Sequence, residues 1–205
     1  MKTAFEFRLP LPLEPGVRMR LRGPPLTDDD LFDLCQRHDI WRFEREADGQ
    51  LTVESPKGGM DGLRIVALNY PIARWSHEAG DRFGVALGSN CGFFLPNGAM
   101  RTPISAWVSR QQWDGIPNAE REGFLYLCPY FVAEMKTLGL QRSELEAIMA
   151  EYRDNGCQIG LLIDPAARAV HVYRPGKPAQ HLFDPDEVPG DPELPGFVLK
   201  TQRIF

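Results

Sequence analysis

Several features are scarce in this 205-residue chain. It has only four cysteines and four histidines. Cys35, Cys91, Cys128 and Cys157 form no CxxC pair, and none has a histidine at zinc-finger spacing, which excludes a zinc-ribbon or disulfide-stapled module. Scattered thiols in a domain of this size imply reduced, partly buried cysteines. His38, His77, His171 and His181 do not cluster. No run of about 18 apolar residues is present, so no membrane span is expected. The opening residues, Met1 to Pro10, lack the apolar core of a signal peptide, and the expected location is the cytoplasm. The formal net charge is −5, which argues against sequence-independent coating of a polyanion but leaves room for a local basic cleft. There is no internal repeat and no low-complexity tract.

What is present suits one domain. Hydrophobic residues make up 43% of the chain, enough for a real core. Residues 1–24 hold Pro10, Pro12, Pro15 and Pro24, so an extended N-terminal arm is expected there, followed by a single domain over 25–205. Thr27 with Asp30 three residues on starts a short helix that ends near His38. Trp41–Glu46 alternates large apolar and charged residues, Asp48-Gly49 is a turn signal, and Gln50–Ser55 returns; this reads as a β-hairpin with one wet face. From Met60 to Ala79 apolar residues recur at three- and four-residue steps, predicting a helix kinked at Pro71 and closed by Gly80. Short strands follow at 83–87, 92–95 and 103–109. Ser143 and Glu146 read as the capping box of a second amphipathic helix, which ends at Asn155-Gly156. Residues 158–164 and 169–173 are further strands. The strand–helix–strand unit from 130 to 164 argues for parallel pairing through a right-handed crossover. The class is α/β (α+β), with a mixed sheet.

The chemically suggestive stretch is Pro129 to Lys136. Tyr130, Phe131, Val132, Ala133 and Met135 suit the middle of a sheet, whereas Glu134 and Lys136 do not. Strand residues two apart share a face, so Glu134 and Lys136 point the same way. A carboxylate beside an ammonium at the end of an apolar strand is what metal-assisted phosphodiester hydrolysis requires.

An ordered set of motifs accompanies that strand. It comprises Phe43–Gly49, Ser55–Gly59, Gly92–Gly98, Arg101–Val108, Cys128–Glu134, Glu151–Gly156 running into Leu162–Pro165, and Pro195–Leu199. Over residues 25–205 the chain resembles the Uma-two family of restriction-endonuclease-like proteins, itself similar to the PD-(D/E)XK nuclease superfamily. The resemblance implies a restriction-endonuclease-like mixed β-sheet core flanked by helices, with an N-terminal β-hairpin extension. It further implies Mg²⁺-dependent hydrolysis of DNA, in which carboxylates hold the ion and the ion activates a water. On that reading Glu134 is the second carboxylate and a metal ligand, and Lys136 is the basic group that orients the water or stabilises charge. Glu44 is an accessory ligand on the hairpin. The pattern breaks after Pro103, where the family's Asp is Ile104. The other Pro-Asp pair reads Pro129-Tyr130, and the place of a helical Lys falls near Ile148. An isoleucine cannot ligate Mg²⁺, so weak or absent hydrolysis is expected.

Each candidate also has an ordinary role. Glu134 and Lys136 can form a plain ion pair, Glu44 can face solvent, and His77 can be a surface histidine. Trp41, Trp75, Trp107 and Trp113 read as core anchors. Arg42, Arg45, Arg64 and Arg74 either line a DNA cleft or form a solvated face. Three functional classes stay open. The first is an active endonuclease whose missing ligand comes from Glu44 or Glu54. The second is a degenerate relative kept as a DNA-binding or protein-interaction module, and the third is a small-molecule pocket on the nuclease fold. Expected partners are DNA and a second copy of the chain in a homodimer.

Overall fold

The structure is a computed structural model that describes residues 14–80, 83–137 and 139–205. In chain order its strands are β1 (Arg18–Leu21), β2 (Arg42–Arg45), β3 (Leu51–Glu54), β4 (Gly84–Leu87), β5 (Phe93–Phe94), β6 (Met100–Arg101), β7 (Ser105–Ser109), β8 (Phe131–Met135), β9 (Ile159–Asp164), β10 (Ala169–Tyr173), β11 (Gln180–Phe183), β12 (Glu187–Pro189) and β13 (Val198–Lys200). The helices are α1 (Asp28–Arg37), α2 (Gly59–Glu78), α3 (Arg110–Gly115) and α4 (Arg142–Asp154).

Local chemistry accounts for most element ends. The Thr27 side chain accepts from Asp30 N (3.2 Å) and caps α1, and three aspartates in the first turn suit the helix dipole. The β2–β3 turn closes with Gly49 at φ 88°, a left-handed conformation that glycine adopts without strain. Helix α2 runs on through Pro71 and stops before Gly80, also at positive φ. Helix α4 begins two residues earlier than its sequence suggests. Its capping box is Gln141 with Glu144, not Ser143 with Glu146, because Leu140 is already buried in the core and fixes where the chain enters the helix.

Two sheets result. The larger runs β11-β10-β9-β8-β7-β4. Strands β8 and β9 are parallel across α4, with Phe131 opposite Ile159 and Glu134 opposite Leu162, as the strand–helix–strand pattern requires. One face packs on α2 and the C-terminal segment through Leu68, Ile72, Phe131, Leu161, Ile163, Phe197 and Leu199. The other packs on α4 through Val132, Leu145, Met149, Tyr152 and Leu162. Every residue of β8, β9 and β10 is buried.

The smaller sheet, in order β1-β3-β2-β6-β5, corrects two sequence expectations. The hairpin does not have a wet face: all of β3 is buried, because α1 covers Phe43, Leu51 and Val53 with Leu31 and Leu34 and the charged face turns Glu44 and Glu54 toward Arg42 and, through it, Glu134 of the larger sheet. Residues 93–94 belong to this sheet and not to the central one, since β5 pairs with β6 and β6 with β2.

Candidate active site

The site forms where the two sheets face each other. The β2–β3 register sets Arg42 opposite Glu54 and Glu44 opposite Thr52. Arg42 and Glu44, two apart on one strand, share its face. Arg42, Glu44 and Glu54 therefore project together toward the end of β8, where Glu134 emerges. Glu44, Glu54 and Glu134 are each no more than 2% exposed.

Arg42 sits among these three carboxylates. Its Nη2 donates to Glu44 Oε1 (2.9 Å) and Glu134 Oε1 (3.2 Å), its Nη1 to Glu54 Oε2 (3.1 Å), and its Nε to Thr102 Oγ1 (2.8 Å). Around this centre lies a wider lattice. Glu44 Oε2 pairs with Arg18 Nη2 (2.9 Å) and Arg101 Nη1 (3.4 Å), while Glu44 Oε1 accepts from Thr102 N (3.0 Å). Arg101 also reaches Glu46 (2.5 Å) and Glu151 on α4 (2.6 Å). Lys57 pairs with Glu54. Tyr152 donates its hydroxyl to Glu134 Oε1 (3.4 Å) from α4.

The electrostatics separate the carboxylates. Burial would raise Glu44, but Arg42, Arg18, Arg101 and the Thr102 N–H hold it well below the usual carboxylate range. Glu134 is pushed up: burial dominates, Arg42 opposes it only in part, and the charges of Glu44 and Glu54 raise it further. Burial pulls Arg42 down, but Glu44, Glu134 and Glu54 more than offset this and hold it well above its ordinary value. Burial and the Arg42 charge lower Lys57.

The sequence-derived candidates are thus partly brought together. Glu134 and Glu44 meet through Arg42. Glu44 is not solvent-facing. The plain ion pair between Glu134 and Lys136 is replaced by one between Glu134 and Arg42, 92 residues apart in sequence. Lys136 follows on the strand end, half-buried, with its backbone N–H bonded to Ile163 O (2.8 Å). Ile104 immediately precedes β7, whose first residue, Ser105, pairs with Ala133, the neighbour of Glu134. Ile104 is 2% exposed and packs in the apolar cluster with Leu68 and Ile72. Ile148 lies on the buried face of α4. Among the described residues no three His, Cys, Asp or Glu side chains are disposed to share a metal ion.

Other candidates fall elsewhere. Arg45 pairs with Asp28 and the Gly98 carbonyl, Arg64 with Asp61 and the Ile204 carbonyl, and Arg74 with Glu78. With Arg42 they form no common basic wall. His77 is exposed. Trp107 is buried and rings with Trp75 and Tyr130. Trp41 lies beside Arg42 at two adjoining depressions of about 150 and 220 Å³. Ile104, Glu54 and Lys57 line the larger.

Arg101 and Tyr152 escaped sequence reasoning. Both lie within motifs, in Arg101–Val108 and Glu151–Gly156, but neither motif marks them as site residues. No helix among the described residues is long and apolar enough to cross a membrane.

Comparison with known proteins agrees with this architecture. A search of curated proteins finds no match. Among solved structures, a "putative nuclease belonging to DUF820" from Anabaena variabilis ATCC 29413 is similar, with a TM-score of 0.70 at 20% identity, covering 88% of this chain and 98% of that one. At that identity the likeness speaks for the fold, a mixed restriction-endonuclease-like core. The family model Uma2, described as "Putative restriction endonuclease", matches residues 28–202. With that span matched, on a nuclease-like fold whose buried carboxylates gather at the end of β8, the chain belongs to the Uma2 family.

Proposed function

We propose that the protein engages DNA as a member of its nuclease-like family and hydrolyses phosphodiesters weakly or not at all. The observation that carries this reading is Ile104, an aliphatic side chain packed against α2 just before β7, whose first residue pairs with the neighbour of Glu134. The resemblance puts an acid there. A hard divalent cation needs several oxygen ligands at close range, and removing one anionic ligand takes away much of its attraction. The residues present do not fit a divalent cation in a second respect, since a guanidinium already donates hydrogen bonds to Glu44, Glu54 and Glu134.

The test separates binding from cleavage. Duplex binding is followed by anisotropy against salt, and hydrolysis by nicking of supercoiled plasmid with millimolar Mg²⁺ or Mn²⁺. The expected result is salt-dependent binding without nicking, and a gain of nicking in Ile104→Asp. Metal-dependent nicking by the wild type overturns the loss of hydrolysis, and absence of duplex binding overturns the DNA assignment.

A second reading, as a protein-interaction module, is favoured by α2. Met60, Leu63, Val66 and Tyr70 lie at helical spacing and are each more than half exposed, forming an apolar stripe larger than scattered surface residues account for. A second copy of the chain is the partner this reading takes. Val66→Glu then abolishes a dimer measured by light scattering while duplex binding persists.

A further inference from the structure

We infer that Arg42 is the resident cation of the carboxylate cleft: the protein supplies from its own hairpin the positive charge that the nuclease fold otherwise takes from a divalent ion. This rests on the carboxylate cleft being the functional site, and it is independent of whether DNA binds there.

The geometry supports it in three steps. First, Glu44, Glu54 and Glu134 come from three strands of two sheets, and all are buried. Three carboxylates so placed repel one another and lose their hydration, an arrangement that persists only with positive charge among them. Second, the charge common to all three is Arg42. One nitrogen, Nη2, lies 2.9 Å from Glu44 Oε1 and 3.2 Å from Glu134 Oε1, and the neighbouring Nη1 lies 3.1 Å from Glu54 Oε2. Oxygens around a divalent ion stand at about 2.0–2.6 Å, closer than these carboxylates stand to the guanidinium nitrogens. Ion and guanidinium cannot share that space. Third, Arg42 is fixed there. Its Nε is bonded to Thr102 Oγ1, its strand is paired on both edges, and its fork of donors matches carboxylates in a way an ammonium does not. Lys57 illustrates the difference, since it serves Glu54 alone among the three.

The arrangement also explains why Glu134 survives without its acidic neighbour. A buried glutamate at the end of an apolar strand would be costly alone, and the shared guanidinium and the Tyr152 hydroxyl provide its partners.

The experiment compares wild type, Arg42→Ala and the double variant Arg42→Ala/Glu134→Gln. Mn²⁺ uptake is read by electron paramagnetic resonance and thermal unfolding is followed with and without millimolar Mn²⁺. The wild type is expected to take up no Mn²⁺ and to show no shift in Tm. Arg42→Ala is expected to lose stability, to bind Mn²⁺ and to recover part of its Tm when Mn²⁺ is added. The double variant should bind at least tenfold more weakly. Arg42→Lys guards against failure to fold: it keeps a charge that cannot span three carboxylates, and it should show a smaller Mn²⁺ response. Mn²⁺ binding by the wild type overturns the inference, as does a lack of response in both Arg42→Ala and Arg42→Lys. A negative duplex-binding result leaves these outcomes untouched, so failure of the DNA assignment and failure of this inference are told apart.

Discussion

The two sheets of this protein are stabilised differently. The six-stranded sheet is apolar on both faces, with β8, β9 and β10 buried between α2 and α4. The five-stranded sheet has an apolar face under α1, but meets the rest of the molecule through a lattice of Arg18, Arg42, Arg101, Glu44, Glu46, Glu54, Glu134 and Glu151. Apolar packing is non-directional and tolerates swaps of similar volume. A buried charge lattice tolerates little, because removing one member leaves others desolvated and unpaired. The candidate site occupies the second kind of interface, so the same residues fix the sheets and set the chemistry.

Breaking the charged interface at its most buried cation should have the largest effect. Arg101→Ala takes one buried cation from Glu44, Glu46 and Glu151 together, and a loss of about 3–5 kcal/mol in denaturant unfolding is expected. An outcome near zero means that the lattice does not join the sheets. Leu161→Ala, in the middle of the apolar sheet, should cost about 2–4 kcal/mol through lost burial and a cavity. Unlike Arg101→Ala, its cost should be unchanged by salt and by pH.

The pH profile sharpens the comparison within the lattice. Glu134 has a folded pKa raised by burial. From about the ordinary 4.5 upward the native state holds a proton that the unfolded state has released, so this group's contribution falls as pH rises through the folded value. Glu44 is depressed by its arginines. Its contribution is present above the ordinary carboxylate value and is lost as pH falls through the folded one. Glu134→Gln should therefore flatten the alkaline side of the stability curve, and Glu44→Gln the acidic side. Unfolding midpoints across pH check both, and identical profiles for the two variants contradict the assignment. The smallest effect is expected at the exposed α4 pair of Arg142 and Glu146. Arg142→Ala should change stability by about 0.5 kcal/mol or less.

Much of the fold was legible. The apolar runs at 131–135 and 159–164, the Thr27 cap, the Asp48-Gly49 turn and the strand–helix–strand unit all reappear. Part of the site was legible too. Arg42 and Glu44, two apart, share a strand face. The register that sets Arg42 across from Glu54 was not legible, because a two-residue turn at Asp48-Gly49 pairs Arg42 with Ser55, whereas the observed loop is one residue longer. The wet-face reading failed because alternating charge on a strand looks the same whether water or an opposing charge satisfies it. The capping box at Ser143 failed because burial of Leu140 starts the helix sooner.

The sequence by itself determined which segments form strands and helices and which charges share a face, since periods of 2 and 3.6 are local properties of the chain. Only the tertiary structure decided which charges meet. The pairs Arg42 with Glu134 and Arg101 with Glu44 join residues 92 and 57 apart. Which pairs form depends on how two sheets pack, and no local pattern encodes that. Glu134, two residues before Lys136, finds its cation on another sheet.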